Sequence, residues 1–353
     1  METLQKQKRL TYVDAARGFA MLAIVYGHAS RDVGLLAQAA YSFHVPLCVF
    51  LTGWLYEFRD ISLKDHLKKT AYRLLLPYGV FSILSMGIYL LMGKLAAGAL
   101  GAEVYSLKEN LLFMARGLSI GNAPLWYLPF LFTSLLLLYF WGRLLRKWKV
   151  ESGVQKALVI LIPPALSVLL LGLYGRCQFT HPVNLPFGIN NACFLFFFLW
   201  LGYVLKKTVR LPKGKKWLIP GFLLVGLSIF CALRFNDEVE YMSFTHSEYG
   251  RNIYVFYVTA LISCLGILWI FENLGSCRLL SWFGRHSMAI LVMHKFPVLF
   301  FQILLGDLPQ RLGRGQWLFY LGISLISMVL CSAAGRILLM IAPWTLGEKK
   351  KPL

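Results

Sequence analysis

Apolar residues fill this chain in blocks of roughly 16 to 25, the length that crosses a hydrocarbon core as a helix. Polar and basic residues collect in the gaps between them. Ten such blocks are predicted, over residues 12–30, 41–56, 74–93, 124–142, 157–175, 189–205, 217–235, 252–272, 286–305 and 317–341. They imply an all-α integral membrane protein, a polytopic bundle of about ten transmembrane helices in a single domain over residues 1–353. The gap 94–123 holds a further element: Leu107, Leu111, Leu112, Ala115 and Leu118 recur at helical spacing, which predicts an amphipathic helix lying in the interface.

The first block is the least apolar and the most informative. TYVDAARGFAMLAIVYGHAS (11–30) carries Asp14, Arg17 and His28. Ionisable side chains at membrane depth are costly and mark a functional site by default. At 3.6 residues per turn, Asp14, Arg17, Met21 and His28 share one face, and Arg17 and His28 stand roughly 16 Å apart along the axis. Such a stripe should face protein or a cavity rather than lipid. A buried structural network is the other reading of the same pattern.

Composition agrees with the membrane reading: 58% of the 353 residues are hydrophobic, and mean hydropathy is +0.62. The formal charge of +20 changes the picture only through its distribution. About two thirds of the 36 Lys and Arg lie in the N-terminus, in 57–73, 143–156, 206–216 and 273–285, and in the C-terminal tail. This alternation is a positive-inside flank, not a nucleic-acid surface, and predicts cytoplasmic termini, with Arg17 toward the cytoplasm and His28 toward the exterior. The expected partner is a lipid bilayer, in a multi-pass cell-membrane protein without nucleic acid. Seven cysteines, none in a CxxC pair, read as small buried hydrophobes and not as a disulfide or metal framework. No cleavable signal peptide is expected.

Candidate chemistry gathers near the first block. A gap of ten residues (31–40) makes the second block its neighbour and brings His44 to the depth of His28. Asp32, one turn beyond His28, is placed to orient it. On the cytoplasmic side, Arg59, Lys64, Lys68, Lys69 and Arg73 suit a ligand with several phosphates. Trp126 and Tyr127 read as site or interfacial aromatics. The polar outer gaps are candidate walls for a polar acceptor: His181, Asn184, Asn190 and Asn191 in one, Asp237, Glu238, Glu240, His246 and Glu248 in the other. Neither has metal-ligand spacing, so no metal is expected. His294 and Lys295 interrupt the ninth block. No Walker loop, GxGxxG fingerprint or GxSxG elbow is present.

Taken in order, these residues resemble membrane acyltransferase family 3, within it the fucose 4-O-acetylase-like branch. Asp14, Arg17-Gly18 and His28 match the family's opening block. FHVPLCVFLTGW (43–54) is similar to its next one, with Val45 in place of Met and Thr52-Gly53 in place of Ser-Gly. YRLLLPY (72–78), APLWYLPFLF (123–132) and GRHSMAILVMH (284–294) follow in the expected order.

The resemblance implies an O-acyltransferase that takes an acyl group from cytoplasmic acyl-CoA, usually acetyl-CoA as donor substrate, to a sugar hydroxyl. The acceptor would be an exported or cell-surface glycan or a lipid-linked saccharide. No tightly bound cofactor is implied. Arg17 and His28 inherit the family's functional roles. Read as chemistry, Arg17, Lys69 and Arg73 would hold the donor's phosphates, and His28 would be general base on the acceptor hydroxyl. Asp14, Asp32, His44, Trp126, Asn191 and His294 would support the acceptor cavity. A covalent acyl-His route stays open. The alternative class is a transporter or flippase of a lipid-linked saccharide.

Overall fold

A computed structural model describes residues 10–31, 34–100, 105–148, 152–177, 185–236, 247–275, 277–306 and 308–350; all structural statements below refer to these. In chain order the helices are α1 (Thr11–Ala29), α2 (Leu35–Tyr41), α3 (His44–Trp54), α4 (Leu63–Leu100), α5 (Leu107–Ala115), α6 (Tyr127–Trp148), α7 (Gly153–Cys177), α8 (Ile189–Thr208), α9 (Leu218–Phe235), α10 (Ile253–Leu274), α11 (Arg278–Arg285), α12 (Ser287–Met293), α13 (Lys295–Leu305), α14 (Leu308–Arg311) and α15 (Gln316–Ile341). There is no strand among the described residues.

Eight helices or helix runs are long and apolar enough to cross a membrane, and nine when α12 and α13, bent by 47°, form one broken span. The tenth predicted block is α1. It is 19 residues long, yet Asp14, Arg17 and His28 keep it out of that apolar set. The fold compensates by enclosing it: α1 packs against α3, α10, α11 and α15. Outer helices show the reverse pattern, with Leu158, Leu161 and Leu169 of α7 and Ile219, Phe222 and Leu227 of α9 exposed. Buried Asn122, Asn190, Asn191 and His294 lie inside. Polar groups within and apolar groups without is the order that lipid as solvent demands.

Several elements differ from the sequence expectation. The gap 31–40 carries α2, and the second span is broken at Ser42–Phe43. Pro46, third in α3, lacks an N–H and crowds the carbonyl of residue 42, which stops one helix and starts the next. Pro297 does the same to the ninth span, three residues after His294. The gap 273–285, expected as a loop, carries α11. The expected interfacial helix is α5, shorter than expected and ending at Ala115; a Ser106–Glu109 capping box starts it, and Leu107, Leu111 and Leu112 are exposed.

The tightest seam is α1 against α11. A Cβ on Gly18 would overlap the Leu280 carbonyl oxygen, and one on Gly284 would overlap the Asp14 carbonyl oxygen. Small residues permit this backbone approach where no hydrophobic force separates helix from lipid. Gly284→Val should therefore cost about 3 kcal/mol or more and lower the unfolding temperature in detergent by at least ~5 °C. Gly226→Ala on α9, where a Cβ meets nothing, should leave it unchanged. Thermal unfolding of the two purified variants checks this.

Candidate functional site

One cavity of about 950 Å³ runs beside α1. Arg17, Met21, Ile24 and His28 line it, at the i, i+4, i+7 and i+11 spacing of a single helix face. The adjoining face, about 100° round the helix, is the glycine seam with α11, whose Gly284 and Arg285 also line the cavity. Asp14, expected on the site face, is buried and presents its backbone to Gly284; it is not among the cavity-lining residues. Beyond α1, Ser30 Oγ donates to Gly27 O at 3.0 Å. Gln302 of α13 donates to His28 O at 2.9 Å and Ala29 O at 3.3 Å. These bonds satisfy carbonyls left over at a helix C-terminus and fix the level at which the His28 ring sits.

One end of the cavity is basic on balance, with four cations in a lining that also includes Glu57 and Glu348. Arg59, from the α3–α4 loop, Lys69 and Arg73 of α4, and Arg285 of α11 line it, all four exposed. Lys69 and Arg73 stand one turn apart. The Arg59 loop is tied down by Arg146 Nη1 on Asp60 Oδ1 at 2.8 Å and by Tyr139 Oη donating to Ile61 O at 3.0 Å. The C-terminal segment closes the mouth. Gly347, at φ +69°, seats against the Arg73 backbone, where a Cβ would come within 2.6 Å of its carbonyl oxygen, and Tyr72 Oη donates to Glu348 O at 3.2 Å. Lys64 and Lys68 are not part of the cavity wall. Arg17 is half-buried deeper in the same cavity, with Cys48, Thr52 and Tyr127 as further lining residues. Among the described residues no carboxylate pairs with it.

The other end carries imidazoles. His28 stacks on His294 with ring centroids 5.3 Å apart and planes at 26°. His44 meets Tyr41 edge-on at 4.7 Å, and its Nδ1 lies 2.8 Å from Ala40 O. A carbonyl only accepts, so His44 carries its proton on Nδ1 and offers Nε2 as an acceptor. His294 is fixed alike, with Nδ1 2.8 Å from Ile290 O. Lys295, Trp126 and Glu248 complete this part of the lining. Trp126 arrives on the 3₁₀ run Ile120–Trp126. That run is anchored by Asn122 Nδ2 donating to Val292 O at 2.9 Å and Ser85 Oγ at 3.3 Å.

The structure thus brings Arg17, His28, His44, Lys69, Arg73 and Trp126 into one cavity and stacks His294 behind His28. It does not bring Asn191 there. Asn191 is buried and accepts hydrogen bonds from Ser247 Oγ at 2.8 Å and from Tyr249 Oη, so it anchors the segment before α10. Asp32 lies outside the described residues, as do His181, Asn184, Asp237, Glu238, Glu240 and His246. Sequence reasoning gave no site role to Arg285 or Thr52, which entered within blocks of the family resemblance, nor to Cys48, which read as a small buried hydrophobe. Among the described residues no cluster of His, Cys, Asp or Glu is arranged to hold a metal ion.

Compared with known proteins, the chain matches a family model described as an acyltransferase domain over residues 10–336, nearly its whole length. No curated protein and no solved structure gives a match. The model spans the helices that build the cavity, and it favours acyl transfer over the transporter reading.

The cavity makes a direct chemical prediction. Cys48 lines it, whereas Cys264 and Cys331 are buried outside it. A small anionic methanethiosulfonate, drawn in past the basic mouth, should modify Cys48 in the folded protein. Cys264 and Cys331 should react only after unfolding, as read by peptide mass mapping.

Proposed function

We propose a specific reaction for a chain that belongs to acyltransferase family 3 and is a membrane acyltransferase: it moves an acetyl group from acetyl-CoA to a sugar hydroxyl. The donor enters from the cytoplasmic face, and the acceptor is an exported or cell-surface glycan or its lipid-linked precursor, as in the fucose 4-O-acetylase-like branch. The observation that supports this reading is the polarity of one cavity, basic at Arg59, Lys69, Arg73 and Arg285 and lined by His28 and His44 away from that mouth. Acyl-CoA has the matching form, a phosphorylated nucleotide joined by an extended arm to a thioester. Arg residues engage phosphate oxygens bidentately and Lys acts as a point charge. The roughly 16 Å between Arg17 and His28 is comparable to the reach of the extended arm.

In this mechanism the acceptor hydroxyl gives its proton to His28 as its oxygen attacks the thioester carbonyl. The C–S bond breaks, an ester C–O bond remains, and the proton passes to the departing thiolate as CoA–SH. His294, stacked on His28, holds the plane of that ring. Lys295, in the same lining, supplies positive charge where the oxyanion develops. His44, in the same lining, contacts the acceptor beside its reacting hydroxyl. Water is the competing nucleophile, and the apolar wall of Met21, Ile24 and Leu291 keeps it scarce around the thioester.

His28→Ala should lower acetyl transfer ~10²–10⁴-fold, the span of a general base, with membrane insertion and thermal unfolding as in the parent. Retained glycan acetylation in that variant would remove His28 from the mechanism. Arg17→Gln should weaken acetyl-CoA binding roughly ten- to hundred-fold, as loss of a charged hydrogen bond to phosphate does. An unchanged donor Kd, by radioligand binding to the purified protein, would defeat the phosphate role.

A further inference from the structure

We propose that Glu248 is the residue that positions the acceptor, and that the acceptor it takes is a neutral polyhydroxyl whose adjacent hydroxyls both donate to its carboxylate. The inference rests on the reading that a hydroxyl acceptor meets the donor at the imidazole end.

Glu248 is held rather than merely present. Its two neighbours are both tied to the start of α8. Ser247 Oγ and Tyr249 Oη donate to Asn191 Oδ1, and Asn190 Nδ2 donates to Ser247 Oγ. Ser247 stands at φ +60°, a conformation rare for a residue with a side chain and kept here by these bonds. Asn236, fully buried, donates from Nδ2 to Tyr249 O at 3.0 Å and accepts from Asn252 N at 2.6 Å. Asn252 in turn caps α10 through Tyr254 N and Val255 N. With the residues on both sides turned onto Asn191, the side chain between them is turned away from it, and Glu248 lines the cavity. Among the described residues it makes no hydrogen bond or ion pair.

A half-buried carboxylate without a hydrogen-bond partner among the described residues is costly, and a ligand that donates to it removes that cost. An ionised carboxylate accepts only, through two oxygens, which suits two hydroxyls on adjacent carbons. Charge selects among polar ligands. Lys295 lines the same cavity and its positive charge opposes an ammonium group; Glu248 opposes an anion; a neutral polyol that donates to the carboxylate meets neither objection. The four exposed cations of the basic end make that end unlike this one, so the two substrates are distinguished by charge before any shape is read.

The test uses the full-length protein in nanodiscs, with binding read by tryptophan fluorescence, since Trp126 lines the cavity. The probes are methyl α-D-glucopyranoside (neutral), methyl 2-amino-2-deoxyglucopyranoside (cationic) and methyl glucuronoside (anionic). The parent should bind the neutral glycoside best. Glu248→Gln and Glu248→Ala should raise that Kd roughly ten- to hundred-fold, with the acetyl-CoA Kd and thermal unfolding as in the parent. Asn191→Leu, which frees the Glu248 segment but leaves the carboxylate, should weaken the neutral glycoside in the same direction. An unchanged glycoside Kd in both Glu248 variants overturns the proposal, as does a parent that binds no neutral glycoside or prefers the amine. A parent that binds the glycoside through Glu248 yet transfers no acetyl group from acetyl-CoA to any glycan would refute the acyl-transfer reading and leave the Glu248 assignment standing.

Discussion

A guanidinium and an imidazole on one membrane helix are tolerable only where other helices keep lipid away from them, and the rest of this fold answers to that constraint. The solution is asymmetric. On one side α1 is pressed backbone to backbone onto α11, Gly18 against Leu280 and Gly284 against Asp14. That contact leaves no room for lipid or water and fixes the helix in rotation. With that side fixed, the adjoining face points toward α3, α4 and the 3₁₀ run before α6, and there Arg17, Met21, Ile24 and His28 meet a cavity that the edge of α11 also lines. A seam made with side chains would leave α1 free to roll by a fraction of a turn, and the charges would move with it.

Irregular backbone is concentrated around that cavity. The break between α2 and α3, the bend between α12 and α13, and the non-helical Asn122 all lie next to its lining. Non-helical backbone at membrane depth is tolerated where protein or a cavity satisfies the freed polar groups. Here side chains assist: His44 Nδ1 on Ala40 O, His294 Nδ1 on Ile290 O, Asn122 Nδ2 on Val292 O and Gln302 Nε2 on His28 O. Two of these donors are the site's own histidines. The interruptions that open space for a ligand therefore also set the tautomers that face it, and a regular ten-helix bundle would have neither the space nor the fixed rings.

Much of this was legible in the sequence for a plain reason: lipid imposes a long apolar run on every span, so the spans announce themselves. Residues 12–30 were expected for the first, and the helix is Thr11–Ala29. The Arg17–His28 stripe was legible because helical periodicity is strict over eleven residues. What did not show was anything decided by packing. Pro46 and Pro297 fall inside the predicted spans 41–56 and 286–305, which were drawn as unbroken, and the chain breaks just before each of them. α11 looked like a short basic loop, because its apolar residues are too few to announce a span and its job is a glycine contact with a partner far away in sequence. Asp14 shares a sequence face with Arg17 but is drawn to the seam by that same contact. Asn191 was expected in the acceptor wall, and holds the segment that puts Glu248 in the cavity lining. Spacing could not rank Glu248 above its acidic neighbours, since its placement depends on Ser247 and Tyr249 reaching a helix more than fifty residues earlier.

The two classes of cation in the cavity bear different loads on the proposed reaction. Arg59, Lys69, Arg73 and Arg285 are exposed, so each holds a phosphate weakly and under salt screening. Their collective effect is capture, which raises the local concentration of an anionic donor. Arg17 is half-buried and without a carboxylate partner among the described residues, so a phosphate there is bound with less competition from water. Capture and registration are thereby separated along one axis. In the proposed reaction acyl transfer changes the far end of the donor and nothing at the basic mouth, so the exposed cations would grip spent and loaded donor alike. Discrimination between them must come from the thioester end, where the acyl group is or is not present beside His28 and His44. Under the proposed reaction, a cavity that recognised its donor by charge at one end and tested its load by contact at the other would need no moving part to tell substrate from product, only a fixed distance between the two tests, and α1 would set it.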